Sequence, residues 1–302
     1  MIMRYLKTII RLFVVMGSVL ALSRSCKSEY DSLLNSSDVD QKYAAAFDRF
    51  NHGKYNKAAK LFESLAIQTN GTTKDDTVQF YWGMSNYRFK DYYTAETNFS
   101  KFLMNFPRSP FADEAYFLRI DCLYRSTYRS ELDQKPTYNA IAVISQYLAE
   151  NPNSTHASTC DRMLKELNDR LDRKAYDNAR LYYKMEDYRA SRVAFRNILK
   201  DDAENIYRED ILYYIAKSSY KFAQLSVEAK QRERYLTFVD DYYNFIGEIP
   251  ESAYRRELDV LYKRAQKSLG RYTGSEDDLE AKEKDFERER KKILKQSDSS
   301  GK

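Results

Sequence analysis

The chain carries the same order of small, apolar and polar residues in two stretches that lie 37 residues apart. Residues 44–70 read AAAFDRFNHGKYNKAAKLFESLAIQTN, and residues 81–107 read YWGMSNYRFKDYYTAETNFSKFLMNFP. When Tyr55 is aligned with Tyr92, small and apolar residues coincide at four further positions. These pairs are Ala46 and Gly83, Ala58 and Ala95, Phe62 and Phe99, and Leu65 and Phe102. The pattern predicts a repeated unit of two helices joined by a short turn.

Each shared position has a structural reason in such a unit. Small residues let the two helices approach closely, the tyrosine closes the turn, and the aromatic residue of the second helix packs against the next unit. A single unit cannot bury its apolar face, so units of this kind stack. The spacing resembles that of the tetratricopeptide repeat, a helix-turn-helix unit of about 34 residues.

The pattern continues through three further units, the last of them degenerate. These units lie at 116–152, 175–202 and 209–245. Pro107, Pro152 and Pro250 each stand at the end of a unit, where a helix must stop. The sequence therefore predicts an all-α fold, an α-solenoid of about five tetratricopeptide-like helix-turn-helix repeats.

The repeats divide the chain into five expected segments. They are an export signal at 1–25, a polar tether at 26–38, N-terminal repeats 1–3 at 39–155, C-terminal repeats 4–5 at 156–270, and a charged helical or disordered tail at 271–302. In the tail, Leu279, Phe286 and Ile293 recur every seven residues between many charges. This pattern fits a mostly solvated helix as well as a helix that docks.

The first residues have the layout of an export signal. The apolar run at 12–22 follows three basic residues and is too short for a membrane span, which needs about 20 apolar residues. Small residues lead into Cys26, as in a bacterial lipoprotein signal whose cysteine becomes the lipid-bearing N-terminus, although Ser23 replaces the usual aliphatic residue. We therefore predict that Cys26 is lipidated, with an unprocessed or differently cleaved signal as the alternative.

Composition narrows the class of protein. The chain has only 8 Gly and 5 Pro but 27 Tyr and 16 Phe, and 31% of its residues are charged, which favours long amphipathic helices. The net charge is +5, but basic and acidic residues are interspersed along the chain, so nucleic acid is not an expected partner. Cys122 and Cys160 form no metal-binding pattern; they are expected to pack between helices, with a disulfide as the alternative.

No motif in the chain indicates catalysis. There is no phosphate-binding glycine loop, nucleophile elbow or HExxH helix, and His52 is expected in a solvated turn. His156 and Cys160 lie four residues apart, but no third group that would orient them is evident. We expect a non-enzymatic binding scaffold with no cofactor and no metal site.

The first helices of the repeats are expected to line the concave wall of the solenoid. Their inward positions are apolar and aromatic, which favours a groove for an extended segment with aromatic side chains. Equally, these rings could pack against neighbouring helices. The predicted groove residues are Tyr43, Phe47, Phe50, Asn51, Phe80, Met84, Tyr87, Tyr116, Ile120 and Leu123.

The middle of the chain, residues 151–191, resembles the BamD family of outer-membrane assembly lipoproteins. The matching residues are Pro152, Ser154, Arg162, Met163, Leu164, Leu167, Arg170, Leu171, Ala179, Arg180, Tyr182, Tyr183, Tyr188 and Ala190. The insertion with Leu132-Asp133-Gln134 and Thr137, and the Pro-x-Ser turn at 105–115, also match in outline. The chain departs from the family at 203–205, where Ala-Glu-Asn replaces a Pro-x-Thr turn.

The resemblance implies a lipid-anchored scaffold on the inner leaflet of the outer membrane, facing the periplasm. Its N-terminal repeats would bind unfolded outer-membrane protein precursors, and its C-terminal repeats would bind the periplasmic domains of the β-barrel insertase. Candidate contacts to the insertase are Arg180, Arg189, Arg192 and Arg196. The alternatives are another periplasmic repeat lipoprotein that coordinates envelope or cell-wall synthesis, and an enzyme or glycan-binding solenoid.

Overall fold

The structure is a computed structural model that describes residues 30–270. Within them are a short helical segment at 30–35 and eleven longer α-helices, with no β-strand and no helix long and apolar enough to cross a membrane. The helices are α1 Val39–Asn51, α2 Tyr55–Gln68, α3 Asp75–Arg88, α4 Tyr92–Asn105, α5 Ala112–Arg125, α6 Lys135–Glu150, α7 Ala157–Lys184, α8 Tyr188–Asp201, α9 Arg208–Gln224, α10 Glu228–Glu248 and α11 Arg255–Ser268. The predicted all-α fold of stacked helical repeats is confirmed. Cys26, the export signal and the tail lie outside the described residues.

The described residues form two compact units that divide between Leu167 and Asn168: unit 1 comprises 30–167 and unit 2 comprises 168–270. In unit 1, each of helices α1 to α6 packs on the next one along the chain, around three apolar clusters. In unit 2, α9 packs against α8 and α10, and α11 packs on both α9 and α10. The units divide inside α7 rather than at the expected 155/156, because Cys160, Met163 and Leu167 of α7 belong to the core that α5 and α6 form.

The two helices of a repeat come closest where the sequence has its small residues. Ala46, Ala58 and Ala95 are fully buried, as are Phe62 and Phe99. A Cβ atom at Gly83 would lie 2.8 Å from Cε1 of Phe99, which is closer than van der Waals contact allows. The glycine therefore lets α3 rest directly on the ring of Phe99 in α4, as the repeat pattern predicts.

The turn inside a repeat is built the same way in the first, second and fourth repeats. One turn residue in each has a left-handed backbone, namely Gly53, Lys90 and Glu186 with φ of 71°, 69° and 63°. An aromatic pair five residues apart then spans each turn with nearly perpendicular rings, 5.2–5.8 Å between centroids. The pairs are Phe50 and Tyr55, Tyr87 and Tyr92, and Tyr183 and Tyr188. This confirms that the tyrosine closes the turn.

Three of the repeats, the second, third and fifth, end at a proline as the sequence predicts. Helices α4, α6 and α10 stop two residues before Pro107, Pro152 and Pro250, respectively. A proline lacks the N–H that would continue the helix, and it disfavours helical backbone in the residue before it. The chain then turns back into the first helix of the next repeat.

A polar side chain in the loop before a first helix joins successive repeats. Its oxygen accepts the backbone N–H two residues later, and it also bonds an acidic side chain on the preceding first helix. The bonded pairs are Ser109 with Asp76 at 2.9 Å, Ser154 with Asp113 at 2.9 Å, Ser252 with Glu209 at 2.6 Å, and Asn205 with Asp172. Asn205 thus performs the role of the missing Pro-x-Thr turn at 203–205.

Residues 30–35, which belong to the predicted tether, form a short helical segment beside the first repeat. Tyr30 and Leu34 pack against the core of the first repeat, and the Tyr30 hydroxyl donates a hydrogen bond to the carbonyl of Lys57 at 3.0 Å. The core of the first repeat is partly open at the start of the stack, and these two side chains pack against it. The polar composition of residues 26–38 gave no indication of this contact.

We expect that Gly83→Ala lowers the free energy of unfolding by about 1–2 kcal/mol, because overpacking against Phe99 outweighs the gain in helix propensity. Urea or thermal unfolding measures this effect. The matched control is Gly247→Ala in α10, where an added Cβ has no atom within 4 Å. The control should leave stability unchanged or slightly raised, and equal effects of the two substitutions would contradict the close packing.

Each of the loop hydroxyls that join successive repeats should contribute to stability on its own. Ser109→Ala removes the bond to Asp76 and the N–H acceptor for Phe111, so we expect it to lower the free energy of unfolding by about 1 kcal/mol. Ser145→Ala on exposed α6 surface is the control, expected within about 0.5 kcal/mol of the parent. Indistinguishable stabilities in a urea titration would refute a stabilising role for Ser109.

Candidate partner-binding surfaces

The first helices of unit 1 carry a cluster of aromatic rings. Phe47 of α1 lies 4.7 Å from Tyr81 of α3 and 5.1 Å from Phe62 of α2, measured between ring centroids. Phe50 meets the same Tyr81 at 5.2 Å, and Tyr43 lies 4.8 Å from Phe47. Tyr81 is therefore the centre of the cluster, although the sequence analysis did not select it.

Beside this cluster, a polar network joins α3 to α5. The Tyr87 hydroxyl donates to Asp121 at 2.6 Å, and Arg125 donates to the same carboxylate while its guanidinium lies 5.4 Å from the Tyr92 ring centroid. Burial, followed by the bond to Asp121, raises the pKa of Tyr87 to about 12. This phenol therefore stays protonated at physiological pH and keeps donating to Asp121.

The ten predicted groove residues divide by exposure. Phe80 and Ile120 are in the core, with 4% and 0% of their surface exposed, so they support the wall from behind. Asn51 is exposed. The other seven are half-buried: Tyr43, Phe47, Phe50, Met84, Tyr87, Tyr116 and Leu123. Phe47 and Phe50 contact rings of neighbouring helices, as the alternative interpretation expects, and all seven half-buried side chains remain partly exposed to solvent.

Unit 1 also contains a cleft that the sequence analysis missed. It has a volume of about 780 Å³, lies between α4, α5 and α6, and includes the turn at 105–110. Tyr116 lines it together with Leu103 and Met104, and the Met104 side chain is 76% exposed. In the sequence, the methionine near the end of the amphipathic helix α4 is the signal that could have indicated this cleft.

His156 and Cys160 do not form a reactive pair. The imidazole of His156 stacks on Phe117 at 4.1 Å, and its Nε2 lies 3.1 Å from Glu114. Cys160 is fully buried, and burial raises the pKa of its thiol to about 11. Cys122 is also buried and unpaired, with a pKa of about 12 for the same reason. Both thiols pack between helices, as expected.

In unit 2, helices α8, α9 and α10 enclose a basic pocket with a volume of about 390 Å³. Its lining residues are Arg189, Arg192, Val193, Ser219, Phe222, Lys230, Glu233, Arg234 and Thr237. The Arg234 guanidinium lies 3.9 Å from the centroid of the Phe222 ring and donates to Ser226. A guanidinium stacked on an aromatic face keeps its positive charge and has further N–H donors besides the one that Ser226 accepts.

One of the pocket's arginines, Arg192, is already paired with a carboxylate of the same unit. Arg192 donates to both oxygens of Asp241, from Nε at 2.6 Å and Nη2 at 3.0 Å, and Ser219 donates to the same carboxylate. By contrast, within residues 30–270, Arg189 and Lys230 have no carboxylate within ion-pair distance. Arg234 has no carboxylate partner among these residues either, so the unpaired positive charge of the pocket belongs to Arg189, Lys230 and Arg234.

The other two predicted arginines lie apart from this pocket. Arg196 is exposed on α8 but is not among the lining residues. Arg180 is on α7, where a hydrogen bond to the Tyr214 hydroxyl raises the pKa of its guanidinium. Of the four arginines chosen from the sequence, the structure thus places Arg189 and Arg192 together at one concave site.

Comparisons with known proteins give a family and one curated relative. The family model described as "YfiO: Outer membrane lipoprotein" matches residues 35–236. The outer membrane protein assembly factor BamD of Caulobacter vibrioides is 23% identical over 210 residues, which cover 70% of this chain and 67% of that protein. A solved structure of the TPR2AB domain of yeast Sti1 in its pHSP90 complex aligns with a TM-score of 0.35 and 15% identity, covering 76% of this chain and 99% of that one.

The two buried thiols should be unreactive in the folded protein. We expect Cys122 and Cys160 to resist a thiol reagent at about pH 8, because the native pKa values lie far above that pH, and both to react after denaturation. A colorimetric thiol count measures this. One fast-reacting native thiol at position 122 or 160, or no free thiol at these two positions in the denatured chain, would contradict the packing.

Proposed function

Because this chain belongs to the outer-membrane lipoprotein family that the YfiO model describes, we propose that it is a scaffold of the machinery that assembles β-barrel proteins in the outer membrane. In this proposal it performs no catalysis and is anchored by a lipid on Cys26, facing the periplasm. Association with the outer membrane follows from the family. The role in assembly is supported by the resemblance to a BamD protein whose matched region includes most of the repeats.

Unit 2 would bind the periplasmic domains of the β-barrel insertase. The observation that best supports this is a preformed pocket whose Arg189 and Lys230 have no anionic partner in residues 30–270, beside the apolar surface of Val193 and Phe222. A cluster of cations beside apolar side chains would complement a protein partner that carries carboxylates at the rim of its contact surface. Arg192 would position the pocket through Asp241 rather than contact the partner.

Unit 1 would bind unfolded outer-membrane protein precursors. Its first helices present half-buried rings and Met84 along one face, and such surfaces bury large areas of an aromatic side chain at small entropic cost. Extended terminal strands rich in aromatic residues are the matching ligand class. This role belongs to the face of α1, α3 and α5 rather than to the cleft between α4 and α6.

The two candidate surfaces in unit 1 can be separated by substitution. We expect Tyr43→Ala combined with Met84→Ala to weaken binding of an aromatic terminal-strand peptide about thirtyfold, because each residue contributes about 1 kcal/mol of contact. Met104→Ala in the cleft should leave affinity unchanged. Fluorescence anisotropy measures the affinity, with circular dichroism as a check of folding. Loss through Met104 alone would move the site to the cleft and overturn the assignment.

The basic pocket gives an equally direct test with the purified periplasmic domains of the insertase. Reversing two of the unpaired charges, Arg189→Glu with Lys230→Glu, should weaken binding at least about tenfold and flatten its salt dependence. The stability of the protein should not change, since neither residue is paired. Arg196→Glu on the same helix is the matched control, and calorimetric titration that ranks the control as equally harmful would contradict the pocket's role.

A further inference from the structure

The basic pocket of unit 2 holds more positive charge than its surroundings neutralise. Four of its lining residues are cationic and one, Glu233, is acidic. Asp241 compensates Arg192, so Arg189, Lys230 and Arg234 face Glu233 alone. The ligand that fits must bring several carboxylates within a few residues.

The pocket also has an apolar component. Val193 is 51% exposed, and the ring of Phe222 forms part of the lining. A ligand that carries only charge would leave this surface in contact with water. The matching segment therefore combines clustered carboxylates with one apolar side chain.

The same chain contains such a segment shortly after its last described helix. Residues 276–280 read EDDLE, with four carboxylates and Leu279 in five positions. No basic residue occurs between Arg271 and Lys282, whereas acidic and basic residues alternate beyond Lys282. Within the tail, the acidic charge is therefore concentrated at 276–280.

Helix α11, the last described helix, packs on α9 and α10, and both of these helices also line the pocket. Near the end of α11, Ala265 and Leu269 belong to the same core cluster as Ala223 of α9, which follows the pocket residues Ser219 and Phe222 on that helix. Packed helices are about 10 Å apart, so a path around α9 is about 20 Å long. Six to ten extended residues after Gly270 span about 20–35 Å, which is sufficient.

From charge, apolar content and reach together, we propose that residues 276–280 bind in the basic pocket of their own chain. The carboxylates pair with Arg189, Lys230 and Arg234, and Leu279 contacts Val193 and Phe222. Since an insertase domain would use the same cations, the segment competes with it; that consequence alone rests on the proposed function. Docking itself requires no partner.

The test uses the full-length lipidated protein in detergent, without a partner. Val193 is replaced by p-benzoylphenylalanine, and photo-cross-linked peptides are identified by mass spectrometry in a mixture of isotopically light and heavy chains. We expect cross-links from position 193 to the segment 272–284 within one molecule, and a several-fold lower yield at high salt. Absence of this cross-link, or cross-links only between light and heavy chains, would overturn the proposal.

Charge exchange in the tail provides the specificity control. Glu276→Lys, Asp277→Lys, Asp278→Lys and Glu280→Lys together should abolish the cross-link. The matched set Glu283→Lys, Asp285→Lys, Glu287→Lys and Glu289→Lys changes the net charge equally and should retain it. Adding Arg189→Glu and Lys230→Glu to the first set should restore the yield. Equal loss in both sets, or no recovery after the exchange, would contradict docking by 276–280.

Discussion

Two helices can bury an aromatic ring between them only when the facing residue is small, and this constraint organises the whole chain. Phe99 occupies the space that a Cβ at Gly83 would need, and Phe62 meets fully buried Ala46 in the same core cluster. The close approach fixes the spacing within a repeat. The apolar face left over must then be covered by the next repeat.

Between repeats, packing is supplemented by directional bonds. A polar side chain in the loop accepts a backbone N–H of its own turn and also bonds a carboxylate of the preceding repeat. Ser109, for example, accepts the N–H of Phe111 and donates its hydroxyl to Asp76. Such bonds connect neighbouring first helices, whose half-buried rings and charges form the proposed binding surfaces. In unit 2, the same rigidity holds Arg192 on Asp241 while Arg189 and Lys230 are available to a ligand.

The repeat pattern was sufficient to predict five helical pairs, the turns closed by a tyrosine and the helix ends before Pro107, Pro152 and Pro250, because each depends on residues close in sequence. The helical segment at 30–35 and α11 lie outside those five pairs and were not predicted. The pattern also could not predict which side of a first helix is covered, since that depends on the neighbouring repeat. Phe80 and Ile120 are therefore in the core instead of the groove, and Lys42 is buried with its ammonium donating to Ser64. The basic pocket is lined by residues from three helices, so no pattern within one stretch of sequence could predict it.

The central claim is that two distinct surfaces of one scaffold serve two classes of partner. Hydrogen–deuterium exchange of the full-length protein, with the insertase's periplasmic domains or with a precursor peptide, tests it most directly. We predict slower exchange at 189–196 and 230–237 with the insertase domains, and at 43–51 and 80–88 with the peptide. Protection of one and the same region by both ligands would contradict the account.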